Sequence, residues 1–329
     1  MHVLFTSSEI LSGFTSKKDT TFSHTPQATR HQGPARYKYY FLGNNSLLLQ
    51  KREIIMLNRL TLIFAVSSKL FAYNSVMGYN RVMVWMCLEF CDETSEQIQD
   101  NLMNVLSHRD IVDSVSFEKY TLGPNSTLVD NNLTSVSWKL NAAGIDTIPL
   151  LSSFPHPPEF IQWMRQVFQN PEPFIDSCIH ESRKYNYNGW NLDWEPTDDV
   201  TEEDGIQYAD FIDSFCTSMH KEKLYCSVDI ATWSPIWNYT AISLTSVDTA
   251  ISMGTYAASQ DTFSDQLSRL LSAFDPSRSG VGLENDVNIT VSDLSQRLQD
   301  IVAVGAAEVD VWKVPLPDSW WELIKRSKT

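Results

Sequence analysis

Several signatures are missing from this chain of 329 residues. There is no G-x-G-x-x-G and no G-x-x-x-x-G-K-[ST], so the common loops that cradle dinucleotides and nucleotide phosphates are absent. H-E-x-x-H is absent too, and none of the five cysteines forms a C-x-x-C pair, so the sequence offers no zinc site of the usual spacing. Past the apolar stretch at residues 56–72, no segment is long and apolar enough to cross a membrane. Positive charge is also scarce: 25 Lys and Arg stand against 40 Asp and Glu, a formal net charge of −15. Nucleic acid and anionic membrane surfaces would both repel such a chain, so neither is expected as a partner.

Core material is ample, with 43% hydrophobic and 12% aromatic residues, enough for two ordinary domains or one large barrel. The charge is uneven. Residues 1–55 hold seven Lys and Arg and three Asp and Glu, a balance of +4, which leaves −19 for the remainder. They are rich in Ser, Thr, His and Gln without sustained periodicity, and read as a disordered or dispensable extension. From Met56 the chain runs MLNRLTLIFAVSSKLFAYNS. Arg59, the apolar run Leu60–Val66 and small residues at Ala65, Ser67, Ser68 and Ala72 form the pattern of a secretory signal peptide over 56–72, too short to span a bilayer. On that reading Met56 is the functional start, and residues 73–329 form the folded domain.

Secretion would suit two other features. Asn125, Asn132, Asn238 and Asn288 each begin an N-x-S/T triplet, the acceptor for N-glycosylation. Cys87, Cys91, Cys178, Cys216 and Cys226 allow two disulfides and one remaining thiol; Cys87 and Cys91 could bridge locally, but spacing leaves the pairing open.

After residue 75 short apolar runs alternate with longer amphipathic segments. The runs cover 82–90, 113–120, 146–154, 188–196, 224–233, 247–256, 279–285 and 309–317. Helical spacing marks 95–106, 157–168 and 204–221, where Ile206, Ala209, Phe211, Ile212 and Phe215 recur at i, i+3 and i+4. The segment 292–305 reads as a helix capped by Ser292 and stopped by Gly305. Strand alternating with helix, eight times over about 250 residues, predicts a (β/α)8 TIM barrel. A doubly wound open sheet is the alternative, disfavoured by the strand count and the absent glycine-rich loop.

The fourth run, NGWNLDWEP, is the informative one. Side chains alternate faces along a strand, so Asn188, Trp190, Leu192 and Trp194 share one face while Gly189, Asn191, Asp193 and Glu195 share the other. In a barrel the apolar face packs under helices and the polar one points to the axis, with Glu195 nearest the carboxyl end, where barrel enzymes place their chemistry. Asp193 and Glu195, about 7 Å apart at Cα, are close enough for repulsion to raise one pKa. Glu195 is the expected general acid, with Asp193 kept ionised by neighbours and Asn191 donating a hydrogen bond to it.

This run resembles the D-G-x-D-x-D-x-E signature of glycoside hydrolase family 18, the chitinase family, whose motif lies on the fourth strand of a (β/α)8 barrel. The resemblance puts the catalytic acid at Glu195 and the carboxylate that orients the substrate acetamido group at Asp193. The family's two earlier aspartates fall on Asn188 and Asn191. Of its S-x-G-G third-strand ending only Ser152 remains. The M-x-Y-D of its sixth strand is echoed by SMGTYA, which offers Tyr256 followed by Ala257 at one residue longer spacing; a core tyrosine at a strand end is the other reading. The tryptophan that floors the sugar site corresponds to Trp312, which could equally be barrel packing.

What the resemblance implies is retaining, substrate-assisted hydrolysis of a β-linked N-acetylglucosamine oligomer without metal or organic cofactor. Glu195 would protonate the glycosidic oxygen, Asp193 and Tyr256 would hold the acetamido group, and Trp312 and Trp233 would stack on sugar faces, with Asn191 and Ser152 also on the substrate. The competing expectation is a chitinase-like lectin that binds without turnover. The partner in either case is an N-acetylglucosamine-containing glycan, the protein a monomer, secreted or delivered to a lysosome or vacuole.

Overall fold

Each of the eight apolar runs becomes a parallel strand: β1 Arg81–Met86, β2 Ser114–Gly123, β4 Asp146–Ser152, β5 Gly189–Asp193, β6 Tyr225–Ile230, β7 Thr249–Ser252, β8 Ser279–Glu284 and β9 Glu308–Trp312. The computed structural model describes residues 78–197, 199–285 and 289–329. The expected extension at 1–55 and signal peptide at 56–72 lie outside the described residues. Neighbouring strands pair in sequence order and β1 pairs with both β2 and β9, which closes the sheet into the (β/α)8 barrel that the strand count predicts. One strand was not visible in the sequence: β3, Thr127–Asp130, folds back antiparallel on the end of β2, with Tyr120 opposite Asp130.

The helices are α1 Ser95–Ser107, α2 Ser137–Ala143, α3 Phe160–Gln169, α4 Glu172–Tyr185, α5 Glu202–Lys221, α6 Tyr239–Ile242, α7 Gln260–Ala273, α8 Val291–Val304 and α9 Asp318–Ser327. Helix α8 stops at Gly305, whose φ of 74° is the left-handed conformation that costs glycine little. Its start differs from expectation. The cap is Thr290, whose side chain accepts from the Asp293 N–H while Asp293 reaches back to the Thr290 N–H, so Ser292 lies inside the helix.

The two faces of β5 part as the alternation requires. Trp194 stacks on Phe211 of α5 with ring centroids 5.0 Å apart and meets Phe174 of α4 edge-on at 5.7 Å. Trp190 is fully buried and donates its indole N–H to Ser182 Oγ on α4 at 2.7 Å. Met83, Trp85, Ile148, Leu150 and Ile251 form a separate apolar plug inside the barrel. Beneath it Glu308 takes Arg81 at 2.9 Å and the Tyr225 hydroxyl at 2.7 Å.

Two disulfides are formed, Cys87–Cys91 at the end of β1 and Cys216–Cys226 between α5 and β6, and Cys178 is the buried free thiol. Among the described residues the one group with metal-ligand spacing is Cys87, Cys91 and Glu118, and both of its sulfurs are committed to the disulfide.

Helix α5 enters through Thr201, whose hydroxyl accepts from the Asp204 N–H, and Asp204 returns a bond to the Thr201 N–H at 2.8 Å. The same carboxylate accepts Arg165 Nε and Nη2 from α3, both at 2.7 Å, which holds its pKa down at about 2. Asp204→Ala removes the returning half of the capping box and leaves Arg165 with only the Asp199 carbonyl, so urea unfolding should report a loss of roughly 2–3 kcal/mol at neutral pH. Because the folded pKa is depressed, that stability is present above the ordinary aspartate range and lost as pH falls toward about 2. Wild type and variant should therefore converge in acid.

Candidate active site

The chemistry-bearing face of β5 begins with Asn191, which is wholly buried in the barrel centre. Its Oδ1 accepts the Trp85 indole N–H at 2.9 Å and the Ser116 hydroxyl at 3.2 Å. Its Nδ2 donates to Ser227 Oγ and Asp229 Oδ1, both at 3.1 Å. Two donors and two acceptor positions are thus all used. This corrects two expectations: Asn191 bonds to Asp229 rather than to Asp193, and it lies beneath the cavity instead of lining it. Its amide organises β1, β2, β5 and β6 around one point.

Above it a cavity of about 250 Å3 is lined by Trp85, Asp193, Glu195, Asp229, Trp233, Met253, Tyr256, Glu284 and Trp312. Five of the residues singled out in the sequence meet here: Asp193, Glu195, Tyr256, Trp233 and Trp312. The ring of Trp312 lies 6.2 Å from that of Trp85, and Trp233 stands 61% exposed with its edge against the buried Trp237 at 5.4 Å. A groove of about 580 Å3 adjoins the cavity, and Glu195 and Trp233 line both. Glu195 therefore sits where the two cavities meet.

Glu195 lies two residues past the last residue of β5, yet its backbone is fixed. Ser153, just beyond β4, donates its N–H to the Asp193 carbonyl at 3.1 Å, and its Oγ accepts the Glu195 N–H at 3.1 Å. The β4–β5 ladder, which pairs Ser152 with Asp193, is in effect continued by a side chain. Ser153 Oγ also meets His156 Nδ1 at 3.2 Å, and His156 lines the groove beside Glu195. Ser152, the residue expected on the substrate, is buried and does not line the cavity; its hydroxyl accepts the Phe154 N–H at 3.0 Å.

The electrostatics differ from the expected division of labour. The Glu195 pKa is raised as expected, but by burial and not by the repulsion from Asp193 that the sequence suggests, with His156 pulling the other way. Asp193 is not kept ionised by its neighbours. It too is pushed up, by burial first and then by Glu195, Asp229 and Glu118, and its Oδ1 has no hydrogen-bond partner. Among the described residues no cation is set against Asp193 and only His156 acts on Glu195, so burial and mutual repulsion favour a shared proton on the pair. The Tyr256 hydroxyl is likewise kept protonated by burial and by Asp229 and Asp193, which leaves it a donor.

Asn188, at the position of the resemblance's first aspartate, faces outward: its Oδ1 accepts the Thr147 N–H at 2.9 Å and the Thr147 hydroxyl at 3.2 Å, pinning β4 to β5. Of the glycosylation acceptors, Asn125 and Asn132 are exposed. Asn238 is half-buried and caps α6 by accepting the Ala241 N–H at 3.0 Å, and Asn288 lies outside the described residues. Residues that sequence reasoning missed include Asp229 and Trp85. Asp229 shares its strand face with Ser227 by the period of two that exposed Asp193, whereas Trp85 in VMVWM reads as core and is both core and lining.

Buried carboxyls make a pH prediction. Glu118, inside β2, is raised to about 7 by burial, with Lys313 opposing. A raised folded pKa gives stability that is complete below the ordinary glutamate value and lost as pH rises through about 7. The protein should therefore be more stable near pH 5 than near pH 8. Glu118→Gln should flatten that slope by about 3 kcal/mol, measured by denaturant melts at the two pH values.

No protein-family profile matches the chain, and no curated protein matches it in sequence. Solved structures do. The spore cortex-lytic enzyme SleL of Bacillus megaterium QM B1551 superposes with a TM-score of 0.66 at 12% identity, over 78% of this chain and 76% of that one. A chitinase from Chromobacterium violaceum ATCC 12472 gives 0.64 at 10% identity, over 75% of this chain and 98% of its own. A class V chitinase from Pseudomonas fluorescens Pf-5 gives 0.62 at 11% identity, over 75% and 99%. At these identities the likeness is one of fold: the chain shares its barrel architecture with these glycosidases.

Proposed function

We propose that this chain is a chitinase-like glycoside hydrolase of family 18 type, cleaving β-linked N-acetylglucosamine oligomers with retention and with the substrate's acetamido group as nucleophile. One observation carries the reading: Asp193, the last residue of β5, and Glu195, two residues beyond it, open together into a tryptophan-walled cavity at the carboxyl end of a barrel. The motif and the barrel support each other, and the structural neighbours are named as chitinases and a cortex-lytic enzyme.

The geometry suggests a division of roles. A sugar in the cavity puts its glycosidic oxygen at the Glu195 boundary, with the leaving group in the adjoining groove. Glu195 gives that oxygen its proton. The pair's shared proton starts on Glu195, so Asp193 is the anion beside the positive charge that grows as the acetamido oxygen closes on the anomeric carbon, and Tyr256 donates to that oxygen. Glu195, now a carboxylate, takes a proton from the incoming water and is restored. Trp312 and Trp233 offer apolar faces to the C–H faces of the sugar. Two disulfides fit an oxidising compartment, so secretion or delivery to a lysosome or vacuole belongs to the same proposal.

Release of product from a chitobiose-type fluorogenic substrate tests this directly. Glu195→Gln should lower kcat by about 100-fold or more while the variant still binds chito-oligosaccharide. Asp193→Asn should also cost heavily, because the amide cannot become an anion beside the developing cation. Since Glu195 must hold a proton, activity should fall as pH rises through its elevated pKa. Tight binding by the wild type with no turnover at any pH would establish the lectin instead.

A further inference from the structure

Helix α8 turns an apolar side toward the barrel through Leu294, Leu298 and Ile301, and in the same row lies Arg297, fully buried. Its guanidinium has one hydrogen bond, from Nη2 to the carbonyl of Ala257 at 2.6 Å. The Phe263 ring of α7 lies beneath it at 5.0 Å, while Nε and Nη1 have no acceptor. The carboxylate of Asp293 is engaged by the Thr290 N–H and hydroxyl at the helix cap, at 3.0 and 2.7 Å. Desolvating a cation costs several kcal/mol, and one carbonyl, one ring face and the attraction of the Asp293 carboxylate, which makes no hydrogen bond to it, return only part of it. A methionine of similar reach would fill the space at lower cost. The burial of this charge is poorly explained by stability.

What it grips is the residue after Tyr256. The segment Met253–Ala257 crosses the end of the barrel and is tied on the near side by Thr255, whose hydroxyl meets the carbonyls of Ser252 at 2.6 Å and Gly282 at 2.8 Å. The Tyr256 N–H donates to Met253 O at 3.0 Å, and the ring lies over Gly282, where a Cβ would come within 2.6 Å of Cε1. On the far side, the Ala257 N–H turns back to Thr255 O at 2.8 Å, and the Ala257 carbonyl is left to Arg297.

We propose that Arg297 is a positioning residue for Tyr256, clamping the Ala257 carbonyl so that the phenol stays aimed into the cavity; this rests on the hydrolase reading above. Thr255 ties down the residue before the tyrosine and Arg297 the carbonyl of the residue after it, so the tyrosine is held on both flanks. At the position where the resemblance leads one to expect an aspartate, the chain has an alanine whose backbone does the holding.

The test is a cycle of Arg297→Met, Tyr256→Phe and the double variant, read on the fluorogenic substrate, with a crystal structure of Arg297→Met. Misplacing the tyrosine should lower kcat/KM by about 10-fold to 100-fold in Arg297→Met, while the melting temperature stays level or rises. In the Tyr256→Phe background the same change should cost little, because the two residues act as one unit. Arg297→Lys, which can still reach the carbonyl, should recover much of the loss and serves if the methionine variant does not fold. Equal losses in both backgrounds, or Ala257 and Tyr256 unmoved in the crystal structure of the methionine variant, would overturn the proposal. Should the wild type prove inactive on every glycan, the hydrolase reading fails by itself, and the crystallographic comparison still decides whether Arg297 positions the tyrosine.

Discussion

The site depends on one amide. Asn191 takes a hydrogen bond from Trp85 of β1 and another from Ser116 of β2, and gives one each to Ser227 and Asp229 of β6. Each bond is made in a dry interior, where an unmade one costs more than in water and a made one is stronger. Four strands are thereby fixed to one another at the depth where the cavity floor begins. Trp85 is set as a wall, Asp229 is turned toward the axis, and Asp193 is carried two residues further up the same strand face. Everything above Asn191 inherits its registration.

Hydrophobic periodicity made the frame legible before any coordinates. All eight barrel strands fall within the runs read from the sequence or within a few residues of them, and the apolar face of β5 packs beneath helices as Trp190, Leu192 and Trp194 require. A period of two reports which face a residue takes, and that is why Asp193 and Glu195 could be placed inside. It does not report partners, since these come from strands distant in sequence. Asn191 was therefore assigned to Asp193, its neighbour in the chain, whereas its acceptor is Asp229, 38 residues away. Ser152 and Ser153 show the same limit at finer scale. Alternation selects one of the pair for the interior, but the chain leaves the strand between them, and the second serine is the one that reaches Glu195. The return strand β3 escaped notice because Thr127–Asp130 has no buried residue to mark it.

The ionisation of Asp193 was misjudged for a related reason. Sequence displays charges that lie near one another in the chain, and the acidic residues around position 193 suggested mutual tuning. The structure adds burial and the further carboxyls of Glu118 and Asp229, with no opposing cation. Lys313 opposes the rise at Glu118 and His156 that at Glu195, and neither offsets the rise at Asp193.

That reasoning also accounts for asparagine where the family signature has aspartate. A carboxylate at 191 would face Asp229 across 3.1 Å and stand two residues below Asp193, in a space that already disfavours both charges. It would need a proton of its own to persist, and that proton would compete with the one the mechanism uses. The amide keeps the same shape and the same acceptor for Trp85 and Ser116, and it replaces a repulsion with a donated hydrogen bond that lowers the Asp229 pKa against the pull of burial. The exchange removes a titrating group from the floor of the cavity without loosening it. On the hydrolase reading proposed above, the acid–base work falls to Asp193 and Glu195, and the departure from the signature at this position is compatible with turnover.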